Sequence, residues 1–216
     1  MRSVILALCL TSVTVSAATI LGFGAEVDYY NPTASGDFSY KGTSSHFDND
    51  KSSGYQVGIY FEHPIPLIPN LRVDLTPDIS FSGSGNKVTL NQVDITPYYE
   101  IGDHIIDFDI GMTLKVLEGK IEGYLNQSFK EVIPMGYVGV GITPPLSPFS
   151  LEGSVKYIEY NSDSLTDARI KGSWKIAPGF GAQAGYRYES LQISNHFNLN
   201  TDTTFKGPFV GLNYRF

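Results

Sequence analysis

The chain is expected to fold as an all-β transmembrane antiparallel up-and-down β-barrel of about 10 strands, with 8 or 12 as the alternative counts. Three observations predict this. Apolar and polar residues alternate with period two in segments that recur along the whole chain. The connections between those segments alternate between long and short. The last segment, Val210-Gly211-Leu212-Asn213-Tyr214-Arg215-Phe216, keeps the alternation up to an aromatic residue. Composition agrees: 14 Tyr, 13 Phe and 22 Gly beside 3 Met suit aromatic and glycine-spaced strands.

In the first segment Leu21, Phe23, Ala25, Val27 and Tyr29 alternate with Gly22, Gly24, Glu26, Asp28 and Tyr30. One face would meet lipid and the other a small, charged interior. The second sets Tyr55, Val57, Ile59 and Phe61 outward, and the third Leu71, Val73, Leu75, Pro77, Ile79 and Phe81. Two more strands flank Gly102-Asp103-His104, with Val93, Ile95, Pro97, Tyr99 and Ile101 outward before it and Ile106, Phe108, Ile110, Met112, Leu114 and Val116 after it. Leu90 is out of phase with Val93, which predicts a bulge or strand start between them. Segments 132–142, 149–157, 168–176, 182–188 and 205–216 complete ten.

Long connections at 31–53, 83–87, 118–128, 159–167 and 193–201 alternate with the links 63–70, 102–104, 143–148 and 178–181. That is the pattern of a barrel with tight periplasmic turns and larger outer loops. Tyr29, Tyr55, Phe81, Tyr157, Tyr188 and Phe205 are expected in an outer aromatic girdle. Phe61, Tyr99, Phe108, Phe149, Trp174 and Phe216 are expected in a periplasmic one. Pro77, Pro97 and Pro208 remove ladder donors and should mark bulges or strand ends.

Residues 1–17 read as a secretory signal peptide: Arg2, an apolar run from Val4 to Leu10, and Val15-Ser16-Ala17 as the cleavage site. The single cysteine, Cys9, falls inside it, so the domain from 18 to 216 is expected to lack disulfides and thiolate chemistry. No later window is apolar for the roughly 20 residues that a spanning helix needs. With 15 basic and 22 acidic residues the net charge is −7, which argues against nucleic-acid partners.

Projected inward, the charges separate. Glu26, Asp28, Glu62, Asp74, Asp78, Asp94, Glu100, Asp107 and Asp109 form an acidic wall on the first five strands, with Arg72 and Lys115 among them. Lys156, Arg169, Lys171, Lys175, Arg187 and Arg215 form a basic wall on the later ones, beside Glu152 and Glu189. In a lumen this narrow, opposed walls are expected to meet as buried ion pairs and plug it. The alternative is a charged eyelet in a porin-like channel for small solutes.

Residues 31–53 hold Asp37, His46, Asp48 and Asp50 among polar neighbours and are expected to be a solvated outer loop, a candidate surface contact. A rim hydrolase of omptin or lipid A deacylase type, using His46 with Asp48 or the Ser194-Asn195-His196 run, is the enzymatic alternative. Asp48-Asn49-Asp50 lacks the glycine and terminal glutamate of an EF-hand loop. His63, His104 and His196 are mutually distant in sequence, so no catalytic residue, metal site or cofactor is assigned.

Leu21-Gly22-Phe23-Gly24-Ala25-Glu26, Val73-Asp74-Leu75-Thr76-Pro77 and the ending Leu212-Asn213-Tyr214-Arg215-Phe216 resemble a group of small proteobacterial outer-membrane β-barrel proteins of unassigned function. The terminal strand also resembles their C-terminal insertion signal, with Val210, Leu212, Tyr214 and Phe216 on one face. The resemblance implies a Gram-negative outer-membrane location. It implies outer-membrane lipid as surroundings, with the barrel-insertion machinery and periplasmic chaperones as biogenesis partners. A monomer with a structural or surface-interaction role, not an enzyme, is the expected function, with no cell-wall-binding domain after the barrel.

Overall fold

The computed structural model describes residues 21–216 apart from 66, 103, 104, 124, 125, 162, 197 and 198, with the side chains at 195, 196 and 199 also outside the description. The signal peptide, the His104 turn and the His196 side chain therefore lie outside the described residues. Twelve strand segments follow one another without a helix among the described residues: β1 Gly22–Tyr30, β2 Thr33–Tyr40, β3 Thr43–Lys51, β4 Gly54–Glu62, β5 Asn70–Gly83, β6 Asn86–Gly102, β7 Ile106–Glu122, β8 Gln127–Ile142, β9 Phe149–Tyr160, β10 Asp163–Ala177, β11 Phe180–His196 and β12 Leu199–Arg215.

Ten of them, β1 and β4 to β12, pair antiparallel in sequence order, and β1 closes on β12. The expected ten-stranded barrel is the observed one. The remaining two belong to its first pair. Tyr30 faces Phe209 and Thr33 faces Lys206, so β1 and β2 hold one register along β12. Tyr30 faces Gly54 and Thr33 faces Lys51, so β3 and β4 continue each other in the same way. The break has a local cause. Pro32 has no N–H to donate, and Pro208 stands opposite, its carbonyl accepting from Asn31 N at 3.0 Å. Gly207 is needed there because a Cβ would lie 2.1 Å from the Asn31 carbonyl.

The expected outer loop 31–53 is thus the upper half of a long hairpin, turned at Lys41-Gly42 with φ of 48° and 82°. Two successive positive φ values make the tight turn whose twist suits a hairpin. Much of 118–128, 159–167 and 193–201 is likewise strand, so β6, β7, β8, β11 and β12 each reach 16 or 17 residues. A tilted strand crosses a bilayer in about 9–11 residues. The excess stands beyond it.

The outward faces mark the level. On β7 Ile106, Phe108, Ile110, Met112 and Leu114 are exposed and followed by Val116, and above them Glu118, Lys120 and Glu122 point the same way. On β8 Ile142, Val140, Val138 and Val132 give way to Lys130 and Ser128. On β12 Val210 and Leu212 give way to Lys206, Thr204 and Asp202. An apolar belt of one bilayer's height encircles the barrel, with a polar collar above it.

One slip sets the inward phase of β5. β6 runs unbroken through 90–93 with Leu90 inside, and the irregularity falls across from it on β5, between Thr76 and Ile79. Asp78, at φ 45°, is the bulged residue. Phe81 is therefore turned inward, and Phe205 shares the inward phase of Gly207 and Phe209, so neither belongs to the outer girdle. Tyr29, Tyr55, Tyr157 and Tyr188 do face outward at that level. Pro77 sits in the β5 bulge, and Pro208 sits at the β1–β2 break. Pro97 lies inside β6, where the pairing to β7 skips from Ile95 to Tyr98.

Candidate functional site

The lumen holds two tiers of opposite chemistry. In the middle of the bilayer span, charges meet across it. Lys115, fully buried, donates to Asp167 at 2.9 Å and Glu189 at 3.0 Å and lies 3.2 Å from Asp94. Lys156 reaches Asp94 at 2.6 Å and Asp74 at 3.2 Å. Arg72 bridges Asp74 at 2.8 Å and Glu26 at 3.0 Å. Arg187 grips Asp167 through Nε at 3.0 Å and Nη2 at 2.7 Å, and gives its other donors to Thr76 and Gln92. Arg169 pairs with Asp28 and stacks on Phe209, while Lys171 pairs with Glu26 and Glu152. A charge taken from water is tolerated when it is paired, and here the pairs are shared across five or more strands, with Arg169 Nε left without a hydrogen-bond partner among the described residues.

At this level residues of the two walls meet; Glu62, Glu100, Asp107 and Asp109 line the lumen nearer the chain termini instead, and Asp78 and Lys175 leave it. Asp78 is exposed, because the bulge at Pro77-Asp78 throws it off the lumenal phase. Lys175 is exposed at the strand end where the β10–β11 register shifts, and it joins no ion pair among the described residues. Arg215 donates to the Tyr60 hydroxyl at 2.6 Å and lies against its ring. Val210, Leu212, Tyr214 and Phe216 share the outward face of the terminal strand.

Above the charges the lumen turns apolar. Tyr30, Ala34, Phe38, Phe47, Ile79, Phe81, Val88, Leu90, Leu117, Ile121, Phe129, Leu165, Leu191 and Phe205 are buried in one cluster. Phe81 packs on Phe205 at 5.1 Å between ring centroids and on Phe47 at 5.9 Å, and Phe38 packs on Phe129 at 5.6 Å. Between this core and the charged tier lies a small pocket of about 10 Å³, beside Tyr30, Ile79 and Arg187. Side chains fill the barrel at this level.

Toward the end that carries the strand termini the lumen opens into a polar chamber of about 360 Å³, lined at its mouth by Tyr60, Glu62, Tyr98, Glu100, Asp109, Tyr137 and Arg215. Tyr98 donates to Glu62 at 3.0 Å and Tyr137 to Asp109 at 3.4 Å. Deeper in, Gln56 is buried and its Oε1 has no donor. The chamber is blind, because the apolar tier lies beyond it.

On the outer hairpin His46 Nδ1 and Asp37 Oδ1 are 2.8 Å apart, both well exposed. The hydrogen bond to Asp37, and then its charge, raise the His46 pKa above the ordinary histidine value. Asp48 shares the outward face with His46, and its Oδ1 accepts from Asn49 Nδ2 at 3.4 Å. No described side chain supplies a nucleophile or a further orienting group to the pair. Among the described residues no cluster of three or more His, Cys, Asp or Glu is arranged to hold a metal.

Comparison with known proteins finds no matching family model and no matching curated protein. Solved structures similar in form include Neisserial surface protein A, at 15% identity over 90% of this chain and 97% of that one, TM-score 0.46. The outer membrane protease OmpT from Escherichia coli is similar at 12% identity over 95% and 99%, TM-score 0.48. Ail, the attachment invasion locus protein of Yersinia pestis, is similar at 11% identity over 90% and 99%, TM-score 0.39. The site described above is read from this chain's own residues.

Proposed function

We propose that this chain is an integral outer-membrane β-barrel protein with a sealed lumen and a structural or surface-interaction role, carried by the collar that stands beyond the bilayer. The observation that carries the reading is the change of chemistry along the strands. An apolar belt facing outward over one bilayer height needs lipid, and a collar with charged outside and aromatic inside needs water. The collar faces the cell exterior and the chamber faces the periplasm. The β2–β3 hairpin, with Asp37, His46 and Asp48 on its outer side, is the contact surface. Outer-membrane lipid is the surrounding partner, and barrel-insertion machinery and periplasmic chaperones act during biogenesis.

A sealed lumen is favoured over the porin-like channel because the aromatic tier closes it above the ion pairs. A rim hydrolase is disfavoured because the His46–Asp37 pair is solvated and lacks a nucleophile. The test is conductance of the refolded protein in a planar bilayer, after heat-shifted gel migration has shown the barrel closed. Silence is the expected result. Reproducible stepwise conductance would replace this reading with transport.

A further inference from the structure

The turn that joins β4 to β5, His63-Pro64-Ile65-Pro66-Leu67-Ile68-Pro69-Asn70, carries three prolines and no acidic, lysine or arginine side chain. It stands at the end of the barrel that carries the strand termini, where a turn in water is ordinarily built from polar residues and glycine. Its apolar side chains are not buried in compensation. Leu67 is 89% exposed, Ile65 52% and Ile68 51%. Clustered apolar surface of this kind is unfavourable in water and marks a surface that something covers.

Two observations point to the cover. The first is where the turn rests. The Tyr99 hydroxyl donates to the Leu67 carbonyl at 3.2 Å, and the Phe61 and His63 rings lie 6.2 Å apart. Tyr99 and Phe61 both face outward at the end of the apolar belt nearer the strand termini. The turn therefore leans on the lipid-facing side of the wall, and none of its described residues lines the chamber. Its exposed side chains continue the belt.

The second observation is how the turn satisfies its own backbone. Its prolines have no N–H to donate. The His63 N–H goes to Asn70 Oδ1 at 3.0 Å, the Ile65 N–H to His63 Nδ1 at 3.1 Å and the Ile68 N–H to the Ile65 carbonyl at 3.3 Å. Because Nδ1 accepts, the ring proton is on Nε2, which donates to the Pro69 carbonyl at 3.2 Å. The imidazole is thus neutral and ties the turn from both ring nitrogens. Irregular backbone can leave water only when its polar groups find partners in the protein, and these groups have them.

We propose that this turn is embedded in the adjoining membrane leaflet, with Ile65, Leu67 and Ile68 at the boundary between phospholipid acyl chains and headgroups. Tyr99 holds it at that depth. The inference rests on the reading of the chain as a bilayer-spanning barrel, and it adds a lipid contact made by a turn rather than by the strands.

Tryptophan fluorescence of the protein refolded into phospholipid vesicles tests it. Trp174 is the chain's one tryptophan, so a Trp174→Phe background allows single probes. Leu67→Trp and Ile68→Trp report on the turn, Phe108→Trp on the belt and Lys120→Trp on the collar. Heat-shifted gel migration first selects the variants that form closed barrels. Phospholipids brominated near the glycerol end of their chains should quench the turn probes as strongly as the Phe108 probe. Iodide on both sides of the membrane should quench them several-fold less than the Lys120 probe. Turn probes that iodide quenches as readily as the Lys120 probe, while brominated lipid still quenches the Phe108 probe, would overturn the proposal and leave the barrel reading standing. A Phe108 probe that lipid does not quench in a closed barrel would overturn both.

Discussion

Within the belt the strands put Ile110, Leu114 and Val138 outside and Lys115, Asp94 and Asp167 inside, whereas a few residues higher they put Lys120, Lys130 and Lys206 outside and Ile121, Phe129 and Phe205 inside. The chain has not changed its period. What changes is the solvent beyond each face, and the side chains follow it. The lower region encloses a charge network and turns an apolar face to lipid. The upper region is an apolar core under a polar outer face, built on the same strands and on the β2–β3 hairpin.

The two regions should respond differently to substitution. The largest effect is expected from Lys115→Met, which leaves Asp94, Asp167 and Glu189 facing one another without their shared cation. Removing one member of a buried ion pair costs about 3–5 kcal/mol, measurable as a lower urea midpoint in micelles. In the collar, Phe81→Ala should cost about 3–4 kcal/mol by leaving a cavity between Phe47 and Phe205. If the regions are as distinct as described, the Phe81 variant keeps the belt region protected in hydrogen exchange while the collar amides lose protection. Loss of protection through both regions would show that they form a single cooperative unit.

The smallest effect is expected at the His46–Asp37 pair. Because the folded pKa of His46 is raised, the pair's contribution is fully present below about pH 6.5 and is lost as pH rises through the folded value. Asp37→Asn should therefore lower collar stability slightly at pH 5.5 and leave it unchanged at pH 8.5, as read by urea melts at the two pH values. Full exposure and salt screening keep the change small.

The belt could be read from the sequence because lipid imposes one simple rule on the outward face, and Leu21 to Tyr29 or Ile106 to Val116 obey it residue after residue. The same projection brought most of the lumenal charges to the right face. It misplaced Asp78 and Phe81 because a one-residue bulge reverses the phase, and a bulge leaves little trace beyond Pro77-Asp78 itself. The collar was hidden for a different reason. Its outward residues are Ser, Thr, Asn, Asp, Lys and Glu, which also compose loops, and its inward aromatics are spaced among glycines. Thr33 to Tyr40 therefore reads as a polar connection until its pairing with β12 is known. The blind chamber was not legible at all, because the separation of Glu62, Glu100 and Asp109 from the basic wall depends on barrel stagger.

The change in environment of the outward face between Val116 and Glu118 can be read with single cysteines at Ile110, Leu114, Val116, Glu118 and Lys120. In lipid vesicles a membrane-impermeant maleimide should label the last two rapidly and the first three hardly at all. Equal labelling at Leu114 and Lys120, or protection continuing through Lys120, would contradict it.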